Sequence, residues 1–293
     1  MRKHPIIYGL LLMLFIGVVF LIVVYFVASL TGEKRVLSSK DKVGVVMIKG
    51  VLNESSQIND QLEEYDRDNN VKAIVIRIDS PGGSVVPAQE VYDKILEVKK
   101  NKNVLVSMGA VAASGGYYIA SAAEKIVANP GTITGSIGVI AQFPQMKELL
   151  DKIGLKSTII KSGKYKDTGS PTREMTSDEK SLIQGVVDDI YNQFVEVVSL
   201  NRKKPKADIE AIADGRIFTG RQALSLGLID YLGNMEYTIQ LAAQLSGIEG
   251  KPEVVYPKKK RKGIIRYIFQ EAVSTVVEEL RTEQTGIQYI YQN

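Results

Sequence analysis

The chain has 293 residues, of which 45% are hydrophobic and 24% are charged, so it is long enough for one large domain with a buried core. It contains no cysteine, which excludes disulfide bonds, thiolate nucleophiles and thiolate-bound metals. The one histidine, His4, lies near the N-terminus, which excludes a Ser-His-Asp triad and histidine-bound zinc at a distant site. A hydrolase of this composition must therefore use a lysine or a carboxylate as its base.

The net charge of +4 comes from two short segments. Arg2 and Lys3 lie at the N-terminus, and five consecutive basic residues occupy positions 258–262. Without these residues, 30 basic and 33 acidic side chains remain, so we expect no nucleic-acid partner. The run at 258–262 could contact anionic membrane lipid, although a solvated linker has the same composition.

The N-terminal segment predicts a membrane anchor. No charged residue occurs from Pro5 to Gly32, and residues 6–28 would form an apolar helix. Its length of about 34 Å exceeds a hydrocarbon core of about 30 Å. The apolar region of a cleaved signal peptide is usually only about 7–15 residues long, so we predict an uncleaved signal anchor within residues 1–32. Basic residues flank the segment on both sides and leave its orientation open.

From Glu33 onwards, short β-branched runs alternate with longer amphipathic segments, which predicts an α/β fold. The runs are almost continuously apolar, as expected for strands that are covered on both faces. The predicted strands are Val43–Ile48, Ala73–Asp79, Val104–Ser107, Lys125–Ala128 and Lys156–Ile160. The predicted helices are Ser84–Lys99, Ser114–Ala123, Gln145–Lys152 and Asp178–Leu200, the last preceded by a capping box that begins at Thr176. We assign residues 33–250 to one α/β domain, and residues 251–293 to a C-terminal appendage with the basic run, an apolar helix candidate at 264–280 and a tyrosine-rich tail.

The first segment with chemical content is Asp79-Ser80-Pro81-Gly82-Gly83-Ser84, in which a strand runs into paired glycines and then a helix. Glycines at such a turn can direct backbone N–H groups into a cleft, where they could bind an anion or an oxyanion. An ordinary tight turn between a strand and a helix has the same composition. A nucleotide-phosphate loop is not indicated, because neither of its glycine-rich patterns occurs here.

The second segment, Ala112-Ala113-Ser114-Gly115-Gly116, places a serine among small residues at the predicted start of a helix. Small neighbours allow another backbone to approach the hydroxyl, and the Gly115 N–H could help to stabilise an oxyanion. Serine is also a preferred N-cap residue, and by itself the segment favours that structural interpretation of Ser114.

The third segment, Lys161-Ser162-Gly163-Lys164-Tyr165-Lys166-Asp167, supplies candidate bases. A serine hydroxyl needs a base to take its proton, and without a usable histidine that base would be a neutral lysine. Burial must then lower the pKa of the lysine toward neutrality, and a hydroxyl such as that of Ser136 must hold the amine. For any one of these lysines, a solvated surface charge is the alternative. A glycosidase-like carboxylate pair, Asp79 and Asp167, is a weaker alternative for the whole site.

Together these segments resemble the SppA-type signal peptide peptidases, which are Ser-Lys serine peptidases related in fold to Clp protease and crotonase. The resemblance covers most of residues 43–245 and implies a Clp/crotonase-like fold of repeated ββα units, in the short, single-domain form with one N-terminal transmembrane helix. It rests on ordered motifs at Asp79 to Gly83, Ala112 to Tyr118, Thr134 to Gly138, Gly163-x-Tyr165-Lys166, and Asp214 to Asp230.

The resemblance implies a role for each site residue. Ser114 would be the nucleophile and Lys166 the general base, while Ser136 would hold the lysine amine in place. The backbone N–H groups of Gly83 and Gly115 would form the oxyanion hole. The implied reaction is hydrolysis of a peptide bond through an acyl-enzyme, without a metal or an organic cofactor.

The resemblance also implies the setting of the enzyme. Remnant signal peptides would be the substrates, and the catalytic domain would lie on the extracytoplasmic side of the cell membrane behind a single-pass anchor. The lysine would come from a neighbouring subunit, so we expect a ring-shaped homo-oligomer with sites shared between protomers. The alternatives are a related membrane Ser-Lys peptidase with another membrane-protein target, a crotonase-like acyl-CoA-binding enzyme and a non-catalytic scaffold. A further hypothesis is that the C-terminal tail lies in a peptide groove and limits access.

Overall fold

A computed structural model describes residues 12–23, 26 and 41–257, and the backbone of residues 286–290. The chain divides into two compact units, Met1–Ser39 and Lys40–Asn293. In the first unit, residues 12–23 form helix α1, whose side chains are exposed. Among the described residues, no helix combines the length and the hydropathy that a bilayer crossing requires. Most of the remaining predicted anchor, and the helix candidate at 264–280, lie outside the described residues.

The second unit alternates strands and helices. Its described strands are β1 (Lys42–Lys49), β2 (Val71–Ser80), β3 (Gly82–Ser84), β4 (Asn103–Ala113), β5 (Lys125–Ala128), β6 (Ile133–Gly135), β7 (Ile140–Gln142), β8 (Ile217–Thr219), β9 (Tyr231–Leu232), β10 (Glu253–Val255) and β11 (Gly286–Ile290). Its described helices are α2 (Ser56–Arg67), α3 (Val85–Val98), α4 (Gly115–Ser121), α5 (Lys147–Lys152), α6 (Ser177–Arg202), α7 (Lys206–Glu210), α8 (Gly220–Ser225) and α9 (Met235–Leu245).

The main sheet has the strand order β10-β1-β2-β4-β5-β9, and each neighbouring pair in this order is parallel. Strand β6 pairs in parallel with the end of β4 and antiparallel with β8. Strands β2 and β3 and helix α3 follow one another as a ββα unit. The predicted α/β fold is confirmed, and residues 253–255 of the expected appendage add an edge strand to the main sheet.

Both faces of the main sheet are covered, because successive residues of a strand point to opposite sides. Ile74, Ile76 and Ile78 of β2 are fully buried in the large core cluster to which helices α2, α3, α4 and α6 also contribute. Ala73 and Val75 face the other side, where α9 covers them. Burial of each large side chain contributes about 1.5–3 kcal/mol, which explains the near-continuous apolar runs in the sequence.

The structure corrects two sequence predictions. The segment at 156–160 is not a strand: it has no strand partner among the described residues, and the side chain of Ile160 is 96% exposed. Strand β4 does not end at Ser107 but continues to Ala113, because a register shift lets it change neighbours. The capping box of α6 is confirmed, since the Thr176 hydroxyl accepts a hydrogen bond from the Glu179 N–H at 3.3 Å. Helix α2 was not predicted.

Candidate active site

The site begins with an irregularity in the central strand β4. Between the pairs Ile78↔Met108 and Ser80↔Ala112, strand β2 advances by two residues and β4 by four. The Asp79 carboxylate accepts a hydrogen bond from the Val111 N–H at 3.1 Å, inside this bulge. A Cβ at Gly109 would lie 2.8 Å from the Asp79 Cγ, so only glycine leaves room for the carboxylate. Asp79 is therefore part of the backbone support of β4.

Beyond the bulge, β4 leaves β5 and pairs with β6. Two threonine hydroxyls hold the new partner in place: that of Thr132 donates to the Gly109 carbonyl at 2.8 Å, and that of Thr134 donates to the Ala112 carbonyl at 2.7 Å. The last registered pair of the two strands is Ala113↔Gly135. Because the strands are parallel, Ser114 and Ser136 leave the same end of the sheet side by side.

Ser114 does not have the backbone of an N-cap residue. Its φ of 54° and ψ of −119° are unusual for a residue with a Cβ, whereas a capping serine has extended dihedrals and a side-chain hydrogen bond that Ser114 lacks. The Ser114 N–H donates to the Gly135 carbonyl at 2.8 Å, which fixes this conformation. Such backbone strain costs about 1–3 kcal/mol and is typical of functional sites.

The hydroxyl of Ser114 is buried and unpaired. The residue is 1% exposed, and its Oγ has no hydrogen-bond partner among the described residues. An unsatisfied buried hydroxyl costs about 1–3 kcal/mol, so in a native protein it calls for an explanation. A group that arrives from outside this chain, such as a base or a substrate, would supply the missing partner.

Two glycines on the segments that form the site lie where backbones approach closely. A Cβ at Gly83 in β3 would lie 2.2 Å from the Leu52 carbonyl oxygen, and one at Gly116 would lie 3.0 Å from the Ser80 carbonyl oxygen. Gly115 is the first residue of α4, so its N–H has no partner within the helix. Gly83 and Gly115 thus lie on the two segments that the sequence analysis selected for an oxyanion hole.

Ser136 also has a left-handed backbone, with a φ of 49°, and its N–H donates to the Arg216 carbonyl at 2.8 Å. It is 7% exposed and faces a cavity of about 600 Å³. The other lining residues are Gly138, Val139, Ile140, Val187, Asp188, Tyr191, Ala213, Asp214 and Gly215. The cavity therefore combines an apolar wall with a few polar groups beside the serine.

A second sheet lies beside this site, with the strand order β3-β11-β7. Strand β11 is antiparallel to both neighbours: residue 289 opposes Gly83, residue 290 opposes Gly82, and residue 288 opposes Ile140. Strands β3 and β7 thus form the two walls of a groove that is one strand wide, with residues 286–290 of the chain inside it. Residues 286–290 pair with both walls as an added strand, which is the geometry in which sheet edges bind extended peptides.

The three lysines of the third segment differ in their surroundings. The Lys161 ammonium pairs with Asp167, and the Lys164 ammonium pairs with Asp178 at 2.7 Å. The hydrogen bond to Asp178 raises the pKa of Lys164, which keeps that amine protonated. Lys166 is exposed and has no ion pair or side-chain hydrogen bond among the described residues. Of the three, Lys166 is the lysine left available for another role.

The chain by itself does not bring the predicted dyad together. Ser114 and Ser136 are neighbours at one end of the main sheet, with Gly83 and Gly115 on adjacent segments. Lys166 makes no contact with the Ser114 hydroxyl, which has no hydrogen-bond partner in the part of the chain that the structure describes, and the Lys166 side chain is exposed. The two other candidate groups have structural roles, since Asp79 supports β4 and Asp167 is held by Arg173 and Lys161.

The tyrosines of the second motif are also structural. Tyr117 is fully buried and donates to the Leu228 carbonyl at 2.9 Å, and burial raises its pKa. Burial likewise raises the pKa of Tyr118 to about 12, and its ring packs edge-to-face on Tyr92 and Phe194. Both phenols remain neutral at physiological pH, so neither competes with lysine as a base.

The sequence analysis missed the ion network that holds the third segment. The Arg173 guanidinium contacts the Asp167 carboxylate at 2.7 Å and also binds the carboxylate of Glu179, which is 3% exposed. Hydrogen bonds from Arg173 and Thr176 lower the pKa of Glu179 to about 2, and those from Arg173 and Lys161 lower the pKa of Asp167 well below its usual range. The alternating charges at positions 167, 173 and 179 were the available signal in the sequence.

Comparison with known proteins matches this chain to peptidase families and to proteins named as proteases. Residues 97–249, just over half of the chain, match Peptidase family S49, and residues 35–132 match Clp protease. A Synechocystis sp. protein, provisionally named a protease, is 48% identical over 177 residues, which are 60% of this chain and 64% of that protein. A Methanocaldococcus jannaschii protein with the same designation is 33% identical over 275 residues, 88% of each chain. Serine protease SPPA, chloroplastic, of Arabidopsis thaliana is 36% identical over 195 residues, 66% of this chain and 29% of that one, so this chain spans less than two thirds of the Synechocystis and Arabidopsis relatives.

Substituting Glu179→Gln should lower the denaturant midpoint of unfolding at pH 7. The depressed pKa of Glu179 means that the carboxylate stabilises the folded state above the unfolded pKa, near 4.5, and that this stabilisation is lost as the pH falls toward 2. The difference between the two proteins should therefore shrink between about pH 5 and pH 2. If the denaturant midpoints of the two proteins differed equally at pH 7 and pH 2, the ionised Glu179 carboxylate would not be the source of the stabilisation.

Proposed function

Because this chain belongs to peptidase family S49 and is a serine peptidase of the SppA type, we propose that Ser114 is its nucleophile and that Lys166 of a neighbouring copy is the general base. The observation that carries this proposal is the Ser114 hydroxyl, which is buried on a strained backbone and lacks a hydrogen-bond partner among the described residues. Family membership favours this reaction over a crotonase-like acyl-CoA-binding function.

In the proposed mechanism, the Lys166 amine takes the proton from the Ser114 hydroxyl as the oxygen attacks a peptide carbonyl. The carbonyl oxygen becomes an oxyanion, and the N–H groups of Gly83 and Gly115 stabilise it. The protonated lysine then gives its proton to the leaving amine, which produces an acyl-enzyme. The same amine takes a proton from water as the water oxygen attacks the ester, and it returns that proton to the Ser114 oxygen as the ester C–O bond breaks and the acid product leaves. The Ser136 hydroxyl holds the amine in the required orientation throughout.

The proposal assigns the base to a neighbouring copy because, within one chain, Lys166 neither contacts Ser114 nor is shielded from water. A lysine base must be neutral, so its amine must be removed from water, but Lys166 is exposed here. The stretch at 149–160, which precedes Lys166, also presents large apolar side chains to solvent, among them Leu149, Ile153, Leu155 and Ile160. Packing this segment against another copy would bury these side chains together with the amine. A ring of such contacts would close the assembly with one shared site per boundary.

The cavity beside Ser136 supports a preference for small or apolar residues near the cut, since Val139, Ile140 and Val187 line it. An apolar segment at residues 6–28 would anchor the enzyme in the cell membrane, with the catalytic domain on the extracytoplasmic side. Remnant signal peptides in the membrane fit both features, and they are the proposed substrates. Another membrane-protein target would use the same chemistry.

The groove between β3 and β7 supports binding of the substrate as an added strand. Residue 290 of β11 opposes Gly82, which follows the end of β2, where Ser80 pairs with Ala112. The C-terminal end of β11 therefore lies toward Ser114. A substrate in this groove would run in the same direction as β11. Its residues on the N-terminal side of the scissile bond would then lie in the groove, and the carbonyl group of that bond would meet Ser114. Residues 286–290 would then act as an intramolecular competitor for substrate.

Substituting Lys166→Ala should lower kcat/KM for peptide hydrolysis by about 10²- to 10⁴-fold, because a positioned general base contributes that factor. It should also prevent labelling of Ser114 by a serine-reactive fluorophosphonate probe. Ser114→Ala should abolish labelling, and mass spectrometry would locate the adduct. The matched control is Lys164→Ala, which removes the paired lysine of the same loop and should leave both measurements close to those of the parent protein. Full labelling without Lys166 would remove lysine as the activating base.

Mixing inactive chains should restore activity if sites are shared. A Ser114→Ala chain keeps its lysine and a Lys166→Ala chain keeps its serine, so roughly a quarter of the boundaries in an equal, random co-assembly would join both intact groups. Peptidase activity of co-expressed chains, compared with each chain alone, measures this. The control pairs the double variant with either single variant, which leaves no complete site. Failure of the mixed assembly to gain activity would place serine and lysine in one chain.

Removing residues 286–293 should lower KM for short peptides and leave kcat nearly unchanged, because an internal competitor is lost. Gln288→Pro should act in the same direction, since proline removes an N–H from a strand that has partners on both sides. Gln292→Pro, beyond β11, is the matched control. A peptide with the sequence of residues 286–290 should inhibit the shortened enzyme competitively. Unchanged KM for substrates of every size would count against any gating role.

A further inference from the structure

We propose that Arg173 is a positioning residue for catalysis, which fixes the loop that carries Lys166 to the start of helix α6. The proposal rests on the proposed role of Lys166 as the base and extends it to a second residue. We call the group formed by Arg173, Asp167 and Glu179 the arginine clasp. It lies outside the set of residues that the reaction scheme uses.

The guanidinium of Arg173 uses all its nitrogens in the clasp. Its Nε donates to Asp167 Oδ2 at 2.7 Å, and its Nη2 donates to the Asp167 main-chain carbonyl at 3.3 Å. Its Nη1 and Nη2 each donate to one carboxylate oxygen of Glu179, and Nη1 also reaches the Glu174 carbonyl at 2.9 Å. A planar fork can make these bonds together, whereas a lysine ammonium cannot. Arg173 therefore holds both the side chain and the backbone of the residue that directly follows Lys166.

The other end of the clasp is rigid. The Glu179 carboxylate, in the first turn of α6, also accepts hydrogen bonds from the Thr176 N–H at 2.8 Å and from the Thr176 hydroxyl at 3.1 Å. Further along α6, Phe194, Val195 and Val198 are fully buried in the core. The helix is thus a fixed support, and the clasp links the loop to it.

Packing alone does not fix the loop. Residues 151–166 are all exposed, so no buried side chain holds the backbone of Lys166 in place. The clasp begins at the next residue, where the Asp167 side chain is only 10% exposed. A shift of about 1 Å in a catalytic group can cost up to about 100-fold in rate, so a loop that must present an amine to another subunit needs such a tether.

The clasp also controls charge next to the base. The Asp167 carboxylate is shared between Arg173 and Lys161, and the nearby Lys164 is paired with Asp178. Without Arg173, the carboxylate would have one cation fewer and could attract the Lys166 ammonium. That attraction would favour the protonated amine, so the base would become active only at higher pH.

The experiment compares kcat, KM and the acid limb of the kcat/KM pH profile in the full-length oligomer. Arg173→Gln should lower kcat by about 10- to 100-fold with little change in KM, and should move the acid limb upward by about 1 pH unit. Arg173→Lys keeps the charge without the fork, so it should retain the parent acid limb and recover part of kcat. The double variant Asp167→Asn/Arg173→Gln should restore the acid limb but not kcat. Arg67→Gln, which removes an exposed ion pair with Glu63 on α2, is the matched control and should change neither.

Each result separates the clasp from a general loss of stability. An unchanged kcat and acid limb in Arg173→Gln, with Lys166→Ala inactive, overturns the clasp and leaves the proposed function intact. A lower kcat with no shift of the acid limb and no difference between Arg173→Gln and Arg173→Lys indicates mere support of the fold and also overturns it. If Arg173→Gln does not assemble, Arg173→Lys is compared with the parent, and a kcat equal to that of the parent overturns the clasp, because a lysine ammonium cannot make the forked contacts. Full probe labelling of Lys166→Ala overturns the proposed base and the clasp together.

Discussion

Strand β4 changes neighbours part of the way along its length, and the geometry around Ser114 depends on this change. A regular parallel strand would continue beside β5 and carry its last residues away from the groove. The extra residues of the bulge, filled by the Asp79 carboxylate and permitted by Gly109, turn the strand toward β6. The hydroxyls of Thr132, just before β6, and of Thr134, within β6, then donate to the carbonyl groups of Gly109 and Ala112. The result is a serine on a strained backbone, supported by the rigid centre of the sheet.

The serine and the proposed base are held by different kinds of structure. Ser114 is fixed by backbone hydrogen bonds in the core, whereas Lys166 lies on an exposed segment whose main restraint is ionic. This division suits a base that must be neutral, because a solvated lysine remains protonated at physiological pH. If the amine is buried only when copies assemble, a single chain has little activity.

In the proposed function, the groove combines substrate binding with stabilisation of the oxyanion. Gly83 lies in β3, so the same short strand forms one wall of the groove and carries one proposed oxyanion donor. The close approach of Gly83 to the Leu52 carbonyl oxygen excludes any larger residue at this position. Main-chain pairing of this kind reads the extended shape of a peptide more than its side chains. Side-chain preference would then come from the apolar cavity near Ser136.

The sequence by itself determined the fold class and the segments that carry chemistry. Continuous apolar runs identified the central strands, since burial on both faces requires them, and the lack of cysteine and of a usable histidine left lysine as the candidate base. The same reasoning was wrong at 156–160, because an apolar run becomes a strand only if another strand pairs with it. Only the tertiary structure argued against the N-cap interpretation of Ser114, since φ and hydrogen-bond partners depend on β6 and Asp79, which are distant in sequence. It alone placed β11 between β3 and β7, because that pairing follows from how the chain returns on itself and leaves no local pattern. The alternating charges at 167, 173 and 179 were a local signal, but only the structure showed that Arg173 joins both carboxylates, because the charges alone do not specify the geometry of the contacts.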